Sequence, residues 1–467
     1  MSEKDTTPNT NDSSRRSFLK LTGASAMLAT SLAGCAGTEG GGSTATATDT
    51  PSGGGSTEMT ESGGGQTSTG TPTSSGPDRV VFGQPAGISG KWDFLQPAVS
   101  QSSEVATQQI NDAGGPLDAE FELLRRDTAV NPQQARQVVR QLVNNDQVPA
   151  INGLFSSEIV PLWDFIQELE VPIISPWPGS TFLDTRGGDM GTPEDLSDDE
   201  WLWRTVIGDT VHTAGAAQAM VENDFTTIGV LNGTSAGERS WSDSFIAAFE
   251  NLGGTVSQRV EVSEGQSSYQ SSLNRLFQAD FDAWALAVAL NDATTVIRDW
   301  SNAGYGRQLL LEDGLMDADL IDAVGEEAEG AWIAAGSTQG PNYDNFLPAF
   351  QEAGDADVHT WGVASYDATN VLALATHRAG EATPEAIQQS IGPVTREGGT
   401  AVSNFAEGKE ALDAGEEINY EGAVTPVDFT DFGNVWGNVG VSTVGPDGFQ
   451  EEFTISADTL KESIANY

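Results

Sequence analysis

The chain has 467 residues and a single cysteine, Cys35, so no disulfide can form within it and its stability has to come from other sources. Basic residues are scarce. Lys plus Arg number 21 against 68 Asp plus Glu, giving a formal net charge of -47, and the only lysines are Lys4, Lys20, Lys91, Lys409 and Lys461. A polyanion is held by basic patches, so this surface argues against a nucleic-acid partner. Histidine occurs three times, at His212, His359 and His377, far apart in sequence. His-Glu-x-x-His, Cys-x-x-Cys and phosphate-loop patterns are all missing. A metal site would therefore be mostly carboxylate, a pattern that an acidic surface counterfeits, and neither a metal nor a cofactor is expected. Long apolar runs are also lacking: the stretch Leu21 to Ala33 is too short to cross a bilayer.

Aromatic residues are plentiful by contrast, with 11 Trp and 19 Phe among regular apolar runs, which favours a folded chain over a disordered acidic one. Acidity of this size in a folded protein points to adaptation to very high salt. At molar ionic strength the Debye length falls to about 3 Å and like-charge repulsion is mostly screened. The expected source is an extreme halophile, an archaeon.

The first residues read as an address. Ser14-Arg15-Arg16-Ser17-Phe18-Leu19-Lys20 precedes the Leu21–Ala33 stretch, which suits a signal-peptide core, and the arginine pair resembles a twin-arginine export signal. Leu32-Ala33-Gly34-Cys35 resembles a lipobox, so residues 1–35 are expected to be a signal ending in lipidation of Cys35. Residues 36–77 are Gly, Ser and Thr with scattered Pro and Glu, as in Gly40-Gly41-Gly42-Ser43. They are expected to form a flexible tether with a reach of about 35 Å. The expected location is the outer face of the cytoplasmic membrane, held by the lipid.

From Arg79 onward strand and helix patterns alternate. Arg79 to Gly83, Glu120 to Arg125, Val148 to Asn152 and Val171 to Ser175 read as strands. Helices are expected over Ala98–Asn111, Asn131–Val143 and Ile159–Leu169. The beat resumes with helix Thr210–Asn223, strand Thr227–Leu231, helix Ser240–Leu252, strand Thr255–Val262, helix Tyr269–Gln278 and strand Ala283–Leu290. Helix Thr294–Ala303, strand Gln308–Glu312 and a segment Gly330–Ala335 complete it. Such alternation demands an α/β fold of parallel sheets covered by helices, with ligands at the carboxyl ends of strands.

Several stretches, in order, resemble the periplasmic binding proteins for branched-chain amino acids, the substrate-binding components of ATP-driven (ABC) importers. These are Gln109-Ile110-Asn111-Asp112-Ala113-Gly114-Gly115, Val171-Pro172-Ile173-Ile174-Ser175-Pro176, Tyr366-Asp367-Ala368, and Pro426-Val427-Asp428-Phe429 with Gly433. The resemblance spans about Val80 to Phe453. It implies a two-lobed type I periplasmic-binding-protein fold with three crossovers, expected near Thr205, Ala331 and Ala423. The lobes would be 78–205 with 332–422, and 206–331 with 423–467. It also implies capture of a small polar ligand, an amino acid of branched-chain type, between the lobes, closure by rigid-body motion, and delivery to permease and ATPase subunits.

The resemblance carries site residues over one at a time. Ser156 stands where the family has a serine for the ligand carboxylate, and Ser180 and Thr181 follow Ser-Pro after a two-residue insertion, Trp177-Pro178. Asp313, at the end of strand Leu309-Leu310-Leu311, falls where the family's glutamate binds the ammonium. The family's aromatic positions are Leu95, Gly237 and Leu290 or Ala289 here, which leaves Trp177, Trp241 and Trp92 to replace them and leaves the ligand's side chain open. Arg204, before the first crossover, is expected to form a structural ion pair.

Other readings remain open. An amide, urea or carboxylic-acid binder would share the fold, and a sensor would present its ligand to a signalling partner. Gly233-Thr234-Ser235-Ala236-Gly237 fits the nucleophile-elbow pattern of a serine hydrolase, with His359 and His377 downstream. That elbow turns straight from strand into helix. Here the expected helix begins only near Ser240, so no enzyme is expected and Ser235 is read as a cleft-loop residue.

Overall fold

The computed structural model describes residues 76–90, 92–185, 201–337, 339–396, 398–445 and 448–464. The expected export signal, Cys35 and all of the tether before Gly76 lie outside the described residues. No helix among the described residues is long and apolar enough to cross a membrane.

Five strands, β1 (Arg79–Ala86), β2 (Glu120–Asp127), β3 (Ile151–Asn152), β4 (Ile173–Ser175) and β5 (Leu202–Arg204), form an all-parallel sheet in the order β2-β1-β3-β4-β5. Consecutive buried residues, Ile173, Ile174 and Ser175 in β4 and Leu202, Trp203 and Arg204 in β5, reflect a sheet covered on both faces. Helix Pro132–Asn144 starts where Asn131 accepts the backbone N–H groups of Gln133 and Gln134 at 3.0 and 3.1 Å, with Pro132 in the first turn. The Asn-x-x-Gly-Gly stretch has a structural task. Asn111 exchanges two hydrogen bonds with the backbone of Phe121, clamping helix Gln96–Asp112 to β2. Gly115 takes a φ of 73°, and a Cβ there would sit 1.8 Å from the Ala119 carbonyl oxygen.

A second sheet contains β6 (Thr227–Asn232), β7 (Thr255–Glu261), β8 (Ala283–Ala287), β9 (Gln308–Leu311) and β10 (Trp332–Gly336). After a short parallel pair, β11 (Thr400–Val402) with β12 (Ile418–Tyr420), the chain returns to this sheet with β13 (Val439–Gly445) and β14 (Gly448–Ile455). Its order is β14-β13-β10-β9-β8-β6-β7, parallel through β10 and antiparallel in the last two strands. β14 is the outer strand, and its Gln450, Glu451 and Glu452 are exposed. The chain crosses between the sheets after β5, after β10 and before β13. The middle crossing thus lies beyond Gly336, not near Ala331, because Trp332–Gly336 pairs with both β9 and β13. Periodicity marked that segment as a strand but carries no information on which sheet it joins.

Two expected helices are corrected. Ile159–Leu169 is broken at Pro161 into helix Ser156–Ile159, a tight turn Val160–Leu162 and helix Trp163–Gln167. The helix expected from Ser240 begins at Ala236, because Ser235 caps it: its hydroxyl oxygen accepts the Glu238 N–H at 3.4 Å, and the Glu238 carboxylate accepts the Ser235 N–H at 2.9 Å.

Candidate functional site

One guanidinium knits two of the crossovers together. Arg204, fully buried at the end of β5, donates from Nε to the Asn434 side chain at 2.8 Å and from Nη1 to the carbonyls of Pro178, Gly179 and Ser180 at 3.2–3.3 Å. Its Nη2 pairs with the Asp184 carboxylate. Asn434 in turn donates to the Asp184 carbonyl at 2.9 Å. The expected structural ion pair is present. Burial pushes the Asp184 carboxyl up despite the opposing pull of Arg204. The crossover after β10 is joined to the one before β13 by Ser337 N–H donating to the Asn438 carbonyl at 2.9 Å.

Beside this hinge a cavity of about 220 Å³ is lined from both sheets. The turn after β1 supplies Trp92, Phe94 and Leu95, and the start of the long helix Thr360–Ala379 supplies His359 and Trp361. From the second sheet come Asp313, directly after β9, and His212, in the first turn of helix Asp209–Glu222. The rings form a connected wall. Trp92 meets Trp361 edge to face with centroids 5.4 Å apart and Phe94 at 5.8 Å, and His359 lies 5.7 Å from Trp361.

Burial lowers the pKa of both imidazoles. His359 Nδ1 accepts the Trp361 N–H at 3.2 Å, which leaves its proton on Nε2, and burial pushes its pKa down to about 4. His212 is only 4% exposed, and burial outweighs the nearby Asp313 carboxylate to lower its pKa. Its Nδ1 lies 3.3 Å from Asp313 Oδ2, but neither ring nitrogen makes a hydrogen bond of normal geometry. Space for the ring exists because residue 336 is glycine: a Cβ there would stand 3.0 Å from His212 Nε2.

The residues singled out in the sequence divide into three groups. Asp313 lies in the cavity. Ser156, Ser180 and Thr181 do not line it but form a chain of hydrogen bonds: Ser156 Oγ accepts the Ser180 N–H at 3.1 Å, Thr181 N–H reaches Ser240 Oγ at 3.3 Å, and Ser240 donates to Asp209 at 3.0 Å. Ser240 belongs to the second lobe, so this chain spans the cleft. It adjoins the cavity electrostatically, since burial and then the Asp313 charge raise the Asp209 pKa to about 7. Trp177 and Trp241 are core. Trp177 is 2% exposed, stacked on Phe155 at 4.7 Å, and its Nε1 donates to Ser365 at 3.0 Å; Trp241 stacks on Phe245 at 5.1 Å. Trp92, named as a possible replacement aromatic, is the one that reaches the cavity. His212, His359 and Trp361 were not singled out as site residues; their positions in the first turns of helices that follow β5 and precede Tyr366-Asp367 were the available signal.

Tyr366-Asp367-Ala368 supports the hinge from behind. Asp367 accepts from the Tyr420 hydroxyl and from the Ala423 and Val424 N–H groups at 2.8–2.9 Å, and burial raises its pKa to about 7.

Comparison with known proteins agrees with this architecture. The family model described as periplasmic binding protein matches residues 80–439. A leucine-, isoleucine-, valine-, threonine- and alanine-binding protein of Pseudomonas aeruginosa is 22% identical over 306 residues, covering 65% of this chain and 79% of that one. The crystal structure of a leucine-binding protein from Thermotoga maritima superposes with a TM-score of 0.66 at 20% identity, over 81% of this chain and 99% of that one. A solute-binding protein of an ABC transporter from Rhodopseudomonas palustris, in complex with p-hydroxybenzoic acid, gives 0.64 at 17% identity, over 81% and 98%.

Proposed function

The chain belongs to the periplasmic binding protein family, and from that premise we propose that it is the extracellular solute-binding component of an ABC importer, closing over a small polar solute that carries an ammonium group, with amino acids the first class to test. The observation that carries this reading is the cavity whose walls come from both sheets, with an aromatic face on one side and Asp313 on the other. A ligand touching both walls makes closure depend on its presence, and the closed form is what a permease and ATPase would recognise. No catalytic step is proposed. Ser235 is committed as a helix cap, and its hydroxyl meets the Glu238 N–H.

The test is calorimetry with a panel of amino acids on the protein and on Asp313→Asn. Loss of the carboxylate is expected to weaken binding roughly ten- to a thousandfold, with the thermal midpoint of the empty protein nearly unchanged. Binding of the variant within about threefold of the original would remove Asp313 from the site. Carboxylic-acid ligands, as in the Rhodopseudomonas neighbour, are the second reading, favoured by the aromatic wall; against them, no described residue lining the cavity is Lys or Arg.

Two parts of the reading rest on sequence alone. Cys35 is the proposed lipid attachment after twin-arginine export, so a processed Cys35→Ser chain should pass from the membrane to the medium; its retention would count against the anchor. The net charge of -47 underlies the proposed adaptation to high salt. Unfolding midpoints should fall steeply from molar KCl to ~0.1 M, and a flat curve would remove that explanation.

A further inference from the structure

The cleft reading names a place, and the chemistry of its walls narrows what goes there. We propose that the cavity takes a small organic cation whose ammonium nitrogen is alkylated, lodged against Trp92, Phe94 and Trp361 and neutralised by Asp313. This rests on the cleft being the ligand site and specifies the class of ligand.

Charge is the first argument. Of the described side chains lining the cavity, Asp313 is the one carboxylate, none is Lys or Arg, and burial disfavours the charged form of both imidazoles. Asp209, just beyond, adds to the negative field whenever it is ionised. An anion entering would have its charge opposed by Asp313 in a partly desolvated space, whereas a cation is drawn in.

Ring geometry is the second. Trp92, Phe94 and Trp361 are each only partly buried although all three are large and apolar, and they stand at tilts of 56° and 76° to one another rather than stacked flat. A ring is negative on its face and positive at its edge, so a guest cation in this hollow would be held where it meets a ring face. A cation over an aromatic face gains most when it is weakly hydrated, which is the property of an alkylated ammonium. A primary ammonium instead presents three N–H donors that each need an acceptor. His359 Nδ1 is already taken by the Trp361 N–H and the rings accept poorly, so among the described lining side chains on this wall only the Thr360 hydroxyl is left to accept, too few for three such donors.

Size and an unmet need complete the case. A volume of about 220 Å³ corresponds to roughly seven water-sized units of ~30 Å³, hence a ligand on the order of seven heavy atoms. His212, 4% exposed with neither ring nitrogen hydrogen-bonded, stands at the cavity beside Asp313. Buried polar groups are nearly always partnered, and a polar group on the ligand's tail would supply the partner this imidazole lacks.

The test is a titration of the purified full-length protein with choline chloride, with its neutral tert-butyl analogue in which carbon replaces nitrogen, and with leucine, read by heat and by tryptophan emission. Choline should bind at least tenfold more tightly than the neutral analogue. Asp313→Asn and Trp92→Leu should each weaken choline about tenfold or more, and Trp361→Phe, which keeps a ring, should weaken it less. Neutral analogue binding within threefold of choline would overturn the proposal, as would binding of leucine without choline, the cleft reading then surviving. If none of the three solutes alters either signal, the cation proposal falls, and silence towards the whole amino-acid panel as well would take the cleft reading with it.

Discussion

The hinge and the cavity beside it both bury polar groups between the lobes, and they treat them in opposite ways. Around Arg204 each observed donor has found an acceptor: three carbonyls, Asn434 and Asp184 surround one guanidinium. A few residues further on, His212 is almost as deeply buried, and neither of its ring nitrogens makes a hydrogen bond of normal geometry. The same sequence neighbourhood therefore contains a finished polar network and an unfinished one. A finished network holds geometry; an unfinished one marks where something outside the chain belongs.

The sharpest way to break the contrast is Arg204→Met. Removing one partner of a buried pair leaves Asp184 and three carbonyls uncompensated, and unfolding in denaturant should show a loss of about 3–5 kcal/mol. The equivalent truncation at the cavity, His212→Leu, has no network to disrupt and should change stability far less. A similar loss at both sites would erase the distinction.

Asp209 lies between the two regions and offers a test through pH. Its carboxyl titrates at about 7 in the folded chain, above the ordinary value of 3.8. A raised acid binds protons that the unfolded chain has released, so its contribution is present below pH ~4 and is lost as pH rises through about 7. Asp209→Asn should consequently gain stability relative to the original as pH rises from ~4 through about 7, most clearly at pH ~8 and little at pH ~4. A difference independent of pH would mean Asp209 is not held protonated. Asp367, raised to about 7 by burial behind the hinge, contributes the same sign in both proteins and cancels in the comparison.

The smallest effect is expected at Thr181→Val, which keeps volume but removes the hydroxyl that meets Ser240 across the cleft at 3.2 Å. The loss should be about 0.5–1.5 kcal/mol in stability of the closed form, read as a larger radius of gyration for the ligand-free protein. An unchanged radius would show that this contact does not help hold the lobes together.

Much of the fold was legible because it is local. Strand and helix alternation is written in spacing, and Asn111, Gly115 and Asp367 belong to short motifs whose work is to clamp neighbouring segments. Asp313's place at the cavity was legible because the carboxyl ends of strands are where such sheets leave a crevice. The aromatic wall was not legible. Trp92 and Trp361 meet across 269 positions of sequence, a contact that no periodicity encodes. Trp177 was misplaced for the complementary reason: the inserted Trp177-Pro178 looks like a loop feature, yet the ring turns inward onto Phe155. The Ser235 loop was misjudged because a cap, not the first apolar residue, sets where that helix begins.

The outer position of β14 has a consequence for how copies of the molecule coexist. An edge strand exposes unpaired backbone groups on which a neighbouring copy could extend the sheet. Glu451 and Glu452 are consecutive and exposed, so a second β14 aligned beside the first would bring carboxylates together along the shared edge. Lateral growth into filaments is thereby discouraged in dilute buffer. Salt weakens that protection by screening, so polymerisation through this edge should be sought first in concentrated brine.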